Sequence, residues 1–166
     1  TAISVLEGLQ EYKGNNIKHQ QGVNLVNNIP TGFHEEVSIN QTDRTGFAAA
    51  KKAAEGADIV VMVLGEYGFQ SGEGRSRTNL DLPGLQQELL EEVYDINKNI
   101  VLVLMNGRPL VLNWAADNIP AIVEAWHLGT QSGHAIAKIL YGDYNPGGKL
   151  PMSFPRSVGQ MPLYYN

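Results

Sequence analysis

The chain has 166 residues, with a hydrophobic fraction of 43% and a charged fraction of 17%, which suits a folded globular domain. Its net charge of −5 and its pI of about 5.3 give no electrostatic reason to expect binding to nucleic acid. There is no cysteine, so disulfides, thiolate metal sites and a cysteine nucleophile are excluded. No apolar run approaches the roughly 18 residues of a membrane-spanning helix, so we expect no membrane insertion.

The N-terminal third predicts two helices separated by irregular chain. Residues 2–12 place Ile3, Leu6 and Leu9 at helical spacing. Residues 17–23 are predicted as a short strand. Residues 24–46 mix Asn, Thr, Pro and Gly with isolated apolar residues and are predicted as an irregular loop that includes an edge strand. Residues 47–56 are strong helix formers that end at Gly56, a suitable C-cap.

From residue 59 onward, apolar strands and amphipathic helices alternate. Buried strands are predicted at residues 59–64, 100–105 and 121–126, and helices at residues 84–97 and 133–141, with a short helical piece ending at Trp114. This alternation predicts a single α/β domain over residues 1–166, with a mostly parallel sheet and helices on both faces. We predict a three-layer α/β/α sandwich of about five or six strands. The tail, residues 145–166, is predicted to be extended.

The connection from the first buried strand to the next helix is unusually long. Residues 65–83, termed the long loop, exceed the roughly 2–6 residues that usually join a strand to a helix. The long loop carries three carboxylates, Glu66, Glu73 and Asp81, with Arg75 and Arg77 beside Glu73. Loops of this length are more often functional than not, although a solvated insertion is the alternative.

Three segments should meet at the carboxyl edge of the sheet, where α/β proteins bind ligands. They are the long loop, the NGRP sequence of residues 106–109 and the HLG sequence of residues 127–129. Carboxylates combined with Arg108 and Trp126 would suit a polyhydroxylated ligand such as a sugar. The alternative for Trp126 is a core aromatic at a strand end.

Other kinds of site lack their motifs. Neither a P-loop nor a strand-linked G-x-G-x-x-G is present, and no serine lies in a G-x-S-x-G elbow. The four histidines are dispersed rather than at metal-ligand spacing. We therefore predict no metal and no cofactor, and what remains is carboxylate chemistry. The histidines are His19, His34, His127 and His134.

Three motifs together resemble glycoside hydrolase family 3, and in particular its bacterial periplasmic β-glucosidases. They are SGEG at residues 71–74 followed by Ser76 and Arg77, NGRP at residues 106–109, and GDYNPGGKLP at residues 142–151. The resemblance is dense from about residue 57 to the end and loose before it. It implies that this chain is the second, α/β sandwich domain of such an enzyme, and that the N-terminal catalytic barrel is absent from the chain.

The resemblance also implies a catalytic role for one residue. In the family the barrel supplies an aspartate nucleophile, and the sandwich domain supplies the general acid/base glutamate, which by motif position is Glu73. Glu66 matches a recurrent family position. Arg77 is expected either to anchor the long loop by pairing another acid or to lie on the surface. Glu66, Arg77, Arg108 and Trp126 are the candidate substrate-binding residues.

The implied function is retaining hydrolysis of terminal β-linked glucose-type residues from oligosaccharides. Its partners would be a β-linked oligosaccharide or glucoside and the barrel domain, with no nucleic acid. A proton donor such as Glu73 must hold its proton near neutral pH, which requires a closed pocket or a neighbouring carboxylate. We expect this chain alone to be inactive, because one acid cannot replace the missing nucleophile. The resemblance implies a periplasmic or secreted location. That location rests on the resemblance alone, because the first residues do not form a signal peptide that would support it.

Two alternatives of other classes remain at this stage. One is a carbohydrate-binding or scaffolding module with the same edge residues and no catalysis. The other is a flavodoxin-like nucleotide binder, which rests on the α/β pattern alone, and a fold does not fix a function.

Overall fold

A computed structural model describes residues 1–32, 35–160 and 162–164. Its five α-helices are α1 (Val5–Gln10), α2 (Phe47–Glu55), α3 (Gln86–Ile96), α4 (Asn113–Asn118) and α5 (Ser132–Leu140), and its strands are β1 (Val60–Gly65), β2 (Ile100–Met105) and β3 (Ala121–Glu124). Single 3-10 turns cover Gly68–Gln70 and Val158–Gln160. Among the described residues, no helix is long and apolar enough to cross a membrane.

The three strands form one parallel sheet in the order β1-β2-β3. Val60 pairs with Ile100, and Val101 pairs with Ala121, so the strands run in step and their carboxyl ends lie at one edge. Each connection passes through a helix, as parallel strands require. The described sheet therefore has two outer strands, β1 and β3.

Helices cover both faces of the sheet, which confirms the predicted three-layer architecture. On one face Met62, Leu64 and Leu102 pack in a cluster with residues of α2, α3 and α4. On the other face Val61 and Val103 pack with residues of α1 and α5. Alternate residues of each strand thus enter opposite cores, which explains why the strands are apolar throughout rather than alternating.

Helix α1 approaches α5 so closely that only glycine fits at the crossing. A Cβ on Gly8 would lie 2.2 Å from the carbonyl oxygen of Gly133, and one on Gly133 would lie 2.0 Å from the carbonyl oxygen of Ser4. Ser4 also begins α1 in a capping box with Glu7, whose carboxylate accepts from the Ser4 N–H at 2.8 Å. The N-terminal segment is therefore held as the outer layer of this face.

The structure corrects four element predictions. The sheet has three strands in the described residues rather than five or six. Residues 17–23 form no strand, because residues 18–21 are polar and exposed and pair with no other strand. The short helix begins at Asn113 rather than ending at Trp114, because before it the Val111 N–H donates to the carbonyl oxygen of Leu80 in the long loop instead of to a helical turn. Strand β3 ends at Glu124, because Trp126 has a φ of 51° and turns the chain.

The irregular stretch and the tail follow the predictions in outline. In the described part of residues 24–46, one antiparallel bridge, between Val26 and Ile39, takes the place of the predicted edge strand. Residues 145–157 form neither helix nor strand, and the side chain of Asn113 donates to the carbonyl oxygen of Arg156 at 2.7 Å. The predictions for His34 and for tail residues 161, 165 and 166 lie outside the described residues.

Candidate functional site

The long loop leaves the sheet at β1 and is closed at its base by one buried side chain. Gln86, in the first turn of α3, accepts from the Gly65 N–H at 2.8 Å and donates to the carbonyl oxygens of Gly65 at 2.7 Å and Pro83 at 2.9 Å. Gly65 and Pro83 are the first and last residues of the long loop. The base of the loop is therefore fixed by three hydrogen bonds in the interior.

The Glu66 carboxylate forms the buried centre of the site. Its side chain is fully inaccessible to solvent, and Arg77 Nη1 lies 2.7 Å from Oε1. Arg108 Nε lies 3.0 Å from the same oxygen, as an ion pair that lacks the alignment of a hydrogen bond. The other oxygen, Oε2, accepts from the hydroxyl of Ser71 at 3.0 Å and from the Gly107 N–H at 2.9 Å. A buried carboxylate needs such compensation, because desolvation of an unpaired charge is costly.

The two arginines extend from this carboxylate to the backbone of the long loop. Arg108 Nη2 donates to the carbonyl oxygens of Gln70 and Arg75, the second at 2.9 Å. Arg77 Nη2 donates to the carbonyl oxygen of Asp81 at 2.9 Å. The expectation that Arg77 anchors the loop by pairing another acid is confirmed, and the acid is Glu66.

Glu73 lies at the tip of the long loop, between the residues that Arg108 holds. It is exposed, and in the described part of the chain its carboxylate has no hydrogen bond or ion pair. Gly72 and Gly74 on either side have φ values of 120° and 70°, a region that favours glycine. The backbone therefore turns sharply at both flanks and presents Glu73 away from the buried centre.

The third segment joins the site through His127. Its Nε2 lies 3.4 Å from the hydroxyl of Ser71, and a Cβ on Gly107 would meet Ser71 Oγ at 2.2 Å and His127 Cδ2 at 3.1 Å. The predicted convergence of the three segments at the carboxyl edge is therefore confirmed. The close approach of these segments also accounts for glycine at position 107.

Glu124, at the end of β3, is a second partly buried carboxylate near this edge. Burial raises the pKa of Glu124, while the backbone N–H of Trp126, donating at 3.0 Å, and the Asn106 amide oppose that shift. Asn106 is fully buried, and its Oδ1 has no hydrogen-bond partner among the described residues. Trp126 is partly covered by Phe154 of the tail, with ring centroids 5.8 Å apart.

The structure thus brings four of the five predicted site residues into one unit. Glu66, Arg77 and Arg108 form the buried network, Glu73 lies on the loop that the network holds, and Trp126 lies apart beside the tail. The sequence analysis assigned no role to Gln86 or Glu124, and no local motif marks either residue. The catalytic and binding roles themselves stay predictions.

Among the described residues, no cluster of three His, Asp or Glu side chains could hold a metal ion.

The family model described as the glycosyl hydrolase family 3 C-terminal domain matches residues 1–166. The chain belongs to this family. The resemblance found from the three motifs is therefore confirmed over the full length.

Two curated relatives are similar along nearly all of the chain. It is 42% identical over 163 residues to a β-xylosidase of Formosa agariphila, covering 98% of the chain and 21% of that protein. It is also 42% identical over 173 residues to the periplasmic β-glucosidase of Salmonella typhimurium, covering 99% of the chain and 23% of that protein. The chain thus spans less than a quarter of the length of these relatives.

Solved structures share the fold of this family 3 domain. A β-glucosidase of Erythrobacter marinus superposes with a TM-score of 0.85 at 38% identity, over 99% of the chain and 24% of that protein. A β-glucosidase of Listeria innocua, solved in complex with gluconolactone, superposes with a TM-score of 0.81 at 33% identity, over 99% of the chain and 21% of that protein. These similarities agree with the three-layer architecture.

Proposed function

We propose that this domain supplies the general acid/base to a retaining exo-β-glucosidase, and that Glu73 is that residue. The observation that carries the proposal is the placement of Glu73: an exposed carboxylate, unpaired among the described residues, on a glycine-flanked tip whose supporting loop is anchored in the interior. A glutamate that must reach a substrate bound in another domain needs a carboxylate without partners in its own domain and a loop backbone that is held in place. Membership of glycoside hydrolase family 3 supports a glycosidase as the enzyme in which such a residue would act.

Retaining hydrolysis needs two carboxyl groups about 5–5.5 Å apart on either side of the scissile bond. The barrel domain supplies the nucleophile, and Glu73 donates a proton to the leaving oxygen and then activates water to release the sugar. Docking of the barrel over the tip removes Glu73 from solvent, which favours its protonated form. Glu66 is not available for either role in the described geometry, because its carboxylate is enclosed.

The substrate class is a terminal β-linked glucose-type residue of an oligosaccharide or glucoside. The names of the relatives include both a β-glucosidase and a β-xylosidase at the same identity, so β-glucoside and β-xyloside are the two substrates to compare. The proposed location is periplasmic or secreted, by analogy with the Salmonella relative, whose name carries the word periplasmic.

The test is a chimera in which residues 1–166 replace the matching segment of the Salmonella periplasmic β-glucosidase. The chain alone should not hydrolyse 4-nitrophenyl β-glucoside, because it lacks the nucleophile, whereas the chimera should. Glu73→Ala in the chimera should lower kcat/KM for cellobiose by about 10²-fold or more, since acid/base catalysis contributes roughly that factor. Asp81→Asn changes another exposed carboxylate of the same loop and is the control, which should stay near the parent activity.

Azide gives a second readout that is specific to the acid/base role. With 2,4-dinitrophenyl β-glucoside the leaving group needs no proton, so Glu73→Ala should form the glycosyl-enzyme and then react slowly with water. Azide, which needs no general base, should restore turnover and yield the β-glycosyl azide. Glucose binding that depends on Trp126, together with full activity of Glu73→Ala, would favour the binding-module alternative.

A further inference from the structure

The Glu66 carboxylate has no capacity left for a ligand. Its side chain is inaccessible to solvent, and two nitrogen or oxygen donors lie within 3.0 Å of each carboxylate oxygen. A sugar hydroxyl would have to displace one of these donors and enter a closed interior. The residue is thus occupied by the protein itself.

The groups that donate to or pair with Glu66 come from the two halves of the long loop, before and after Glu73, and from the connection that follows β2. Ser71 precedes Glu73, Arg77 follows it, and Gly107 with Arg108 comes from the connection after β2. The Glu66 carboxylate therefore links both halves of the long loop to the connection that follows β2. Without it, two guanidinium groups would face each other in a mostly buried space.

Arg108 transmits this arrangement to the loop backbone. Its Nη2 is hydrogen-bonded to the carbonyl oxygens of Gln70 and Arg75, which lie three residues before and two residues after Glu73. Because Arg108 Nε faces Glu66 Oε1 at 3.0 Å, the position of the guanidinium depends on that carboxylate. Through Arg108, Glu66 thus affects the position of the backbone on both sides of Glu73.

Between these anchors only a short tip is left to move. Among the described residues, the only backbone hydrogen bond of residues 72–74 is the long turn bond from the Arg75 N–H to the Gly72 carbonyl oxygen, at 3.2 Å. Glycines on both sides of Glu73 give the tip little stiffness of its own. Its position therefore depends on the anchors, and small misplacement of a catalytic group is costly because proton transfer requires a close approach to the substrate.

We propose that Glu66 is a positioning residue: through Arg77, Arg108 and Ser71 it fixes the long loop so that Glu73 reaches the glycosidic oxygen. This inference rests on the proposed acid/base role of Glu73. It replaces a direct substrate-binding role for Glu66, Arg77 and Arg108 with a shared role in holding the loop.

The experiment uses Glu66→Gln in the chimera and compares two substrates. Cellobiose has a poor leaving group and needs protonation, whereas 2,4-dinitrophenyl β-glucoside does not. Glu66→Gln should lower kcat/KM for cellobiose by about 10²-fold, but that for the dinitrophenyl substrate by less than about 10-fold. Glu88→Gln, which breaks the exposed ion pair of Glu88 with Arg44, is the matched control and should change neither value.

Three outcomes would overturn the positioning role. An equal fall for both substrates would indicate general damage to the fold, and a raised KM for both with unchanged kcat would indicate a sugar ligand. Unchanged kinetics would mean that the loop does not depend on Glu66. Should Glu66→Gln fail to fold, Ser71→Ala removes one donor only, and a fall of about 3-fold or more confined to cellobiose is then expected.

A double variant separates this inference from the proposed function. Residues that act as one unit have non-additive effects, so Glu66→Gln should add little to Glu73→Ala for cellobiose. A Glu73→Ala variant with no preference between the two substrates would reject the acid/base role itself. A selective loss in Glu73→Ala with none in Glu66→Gln would reject only the positioning role.

Discussion

Gln86 bonds both backbone polar groups of Gly65, accepting from its N–H at 2.8 Å and donating to its carbonyl oxygen at 2.7 Å. The Gln86 side chain thus satisfies the backbone N–H and carbonyl groups of Gly65, as the backbone of a neighbouring strand would in the interior of a sheet. The same amide also donates to the carbonyl oxygen of Pro83, so a single residue of α3 sets the distance between the two ends of the long loop.

Gln86→Leu should destabilise the domain, because it leaves three backbone groups in the interior without partners. We expect the free energy of unfolding to fall by about 2 kcal/mol or more, since each unsatisfied buried group costs about 1–3 kcal/mol. Urea unfolding of the 166-residue chain, followed by circular dichroism, measures this change. Gln87→Leu, at the adjacent and more exposed position, is the control. Equal midpoints for the two variants would contradict the buried role of Gln86.

Glu66→Gln should also lower the stability of the domain. Removal of one partner from a buried ion pair costs about 3–5 kcal/mol, because the remaining charge is left uncompensated. Here the remaining charges are Arg77 and Arg108, whose side chains are 15% and 21% exposed. That partial exposure allows some solvation, so we expect about 3 kcal/mol in urea unfolding. A loss no larger than that of Glu88→Gln would show that the network contributes little.

Gly8→Ala should displace α1 from α5. The added Cβ would lie 2.2 Å from the Gly133 carbonyl oxygen, and backbone at that distance cannot yield without movement of a helix. Overpacking typically costs about 1–3 kcal/mol, and we expect the upper part of that range in thermal or urea unfolding. At Gly56, where no atom of another described residue beyond its chain neighbours lies within 4 Å of an added Cβ, the same substitution should be nearly neutral. Comparable losses at both positions would contradict the close crossing.

Glu124→Gln should stabilise the domain at neutral pH. Burial raises the pKa of Glu124 in the folded state, so this group favours folding below its unfolded pKa and loses that contribution as pH rises through its folded pKa. Glutamine stays neutral and keeps an oxygen for the Trp126 N–H. The gain in unfolding midpoint should therefore be present at pH 7, shrink as pH falls through the raised folded-state pKa of Glu124, and be absent below the ordinary pKa of a glutamate. A gain independent of pH would show that the charge is not its cause.

The sequence predicts the layers of this fold well, because its strands are continuous apolar runs and its helices have apolar stripes. It overestimates the sheet where residues 17–23 suggest a strand, since strand formation depends on a partner edge that local sequence does not show. The sequence correctly predicts that the NGRP segment and the long loop meet at the carboxyl edge of the sheet. The burial of Glu66, however, depends on Arg108, 42 positions away, and only the folded chain shows which acid that arginine faces.

The closed base of the long loop has a consequence for how this domain can vary. Loop-closure entropy grows only with the logarithm of loop length, so doubling the length between fixed ends costs about 0.6 kcal/mol. Because Gln86 fixes both ends on the rigid start of α3, residues can be gained or lost around the tip without disturbing the sheet or its cores. The reach of the tip is therefore a property that evolution, or a protein engineer, can change separately from the fold that supports it.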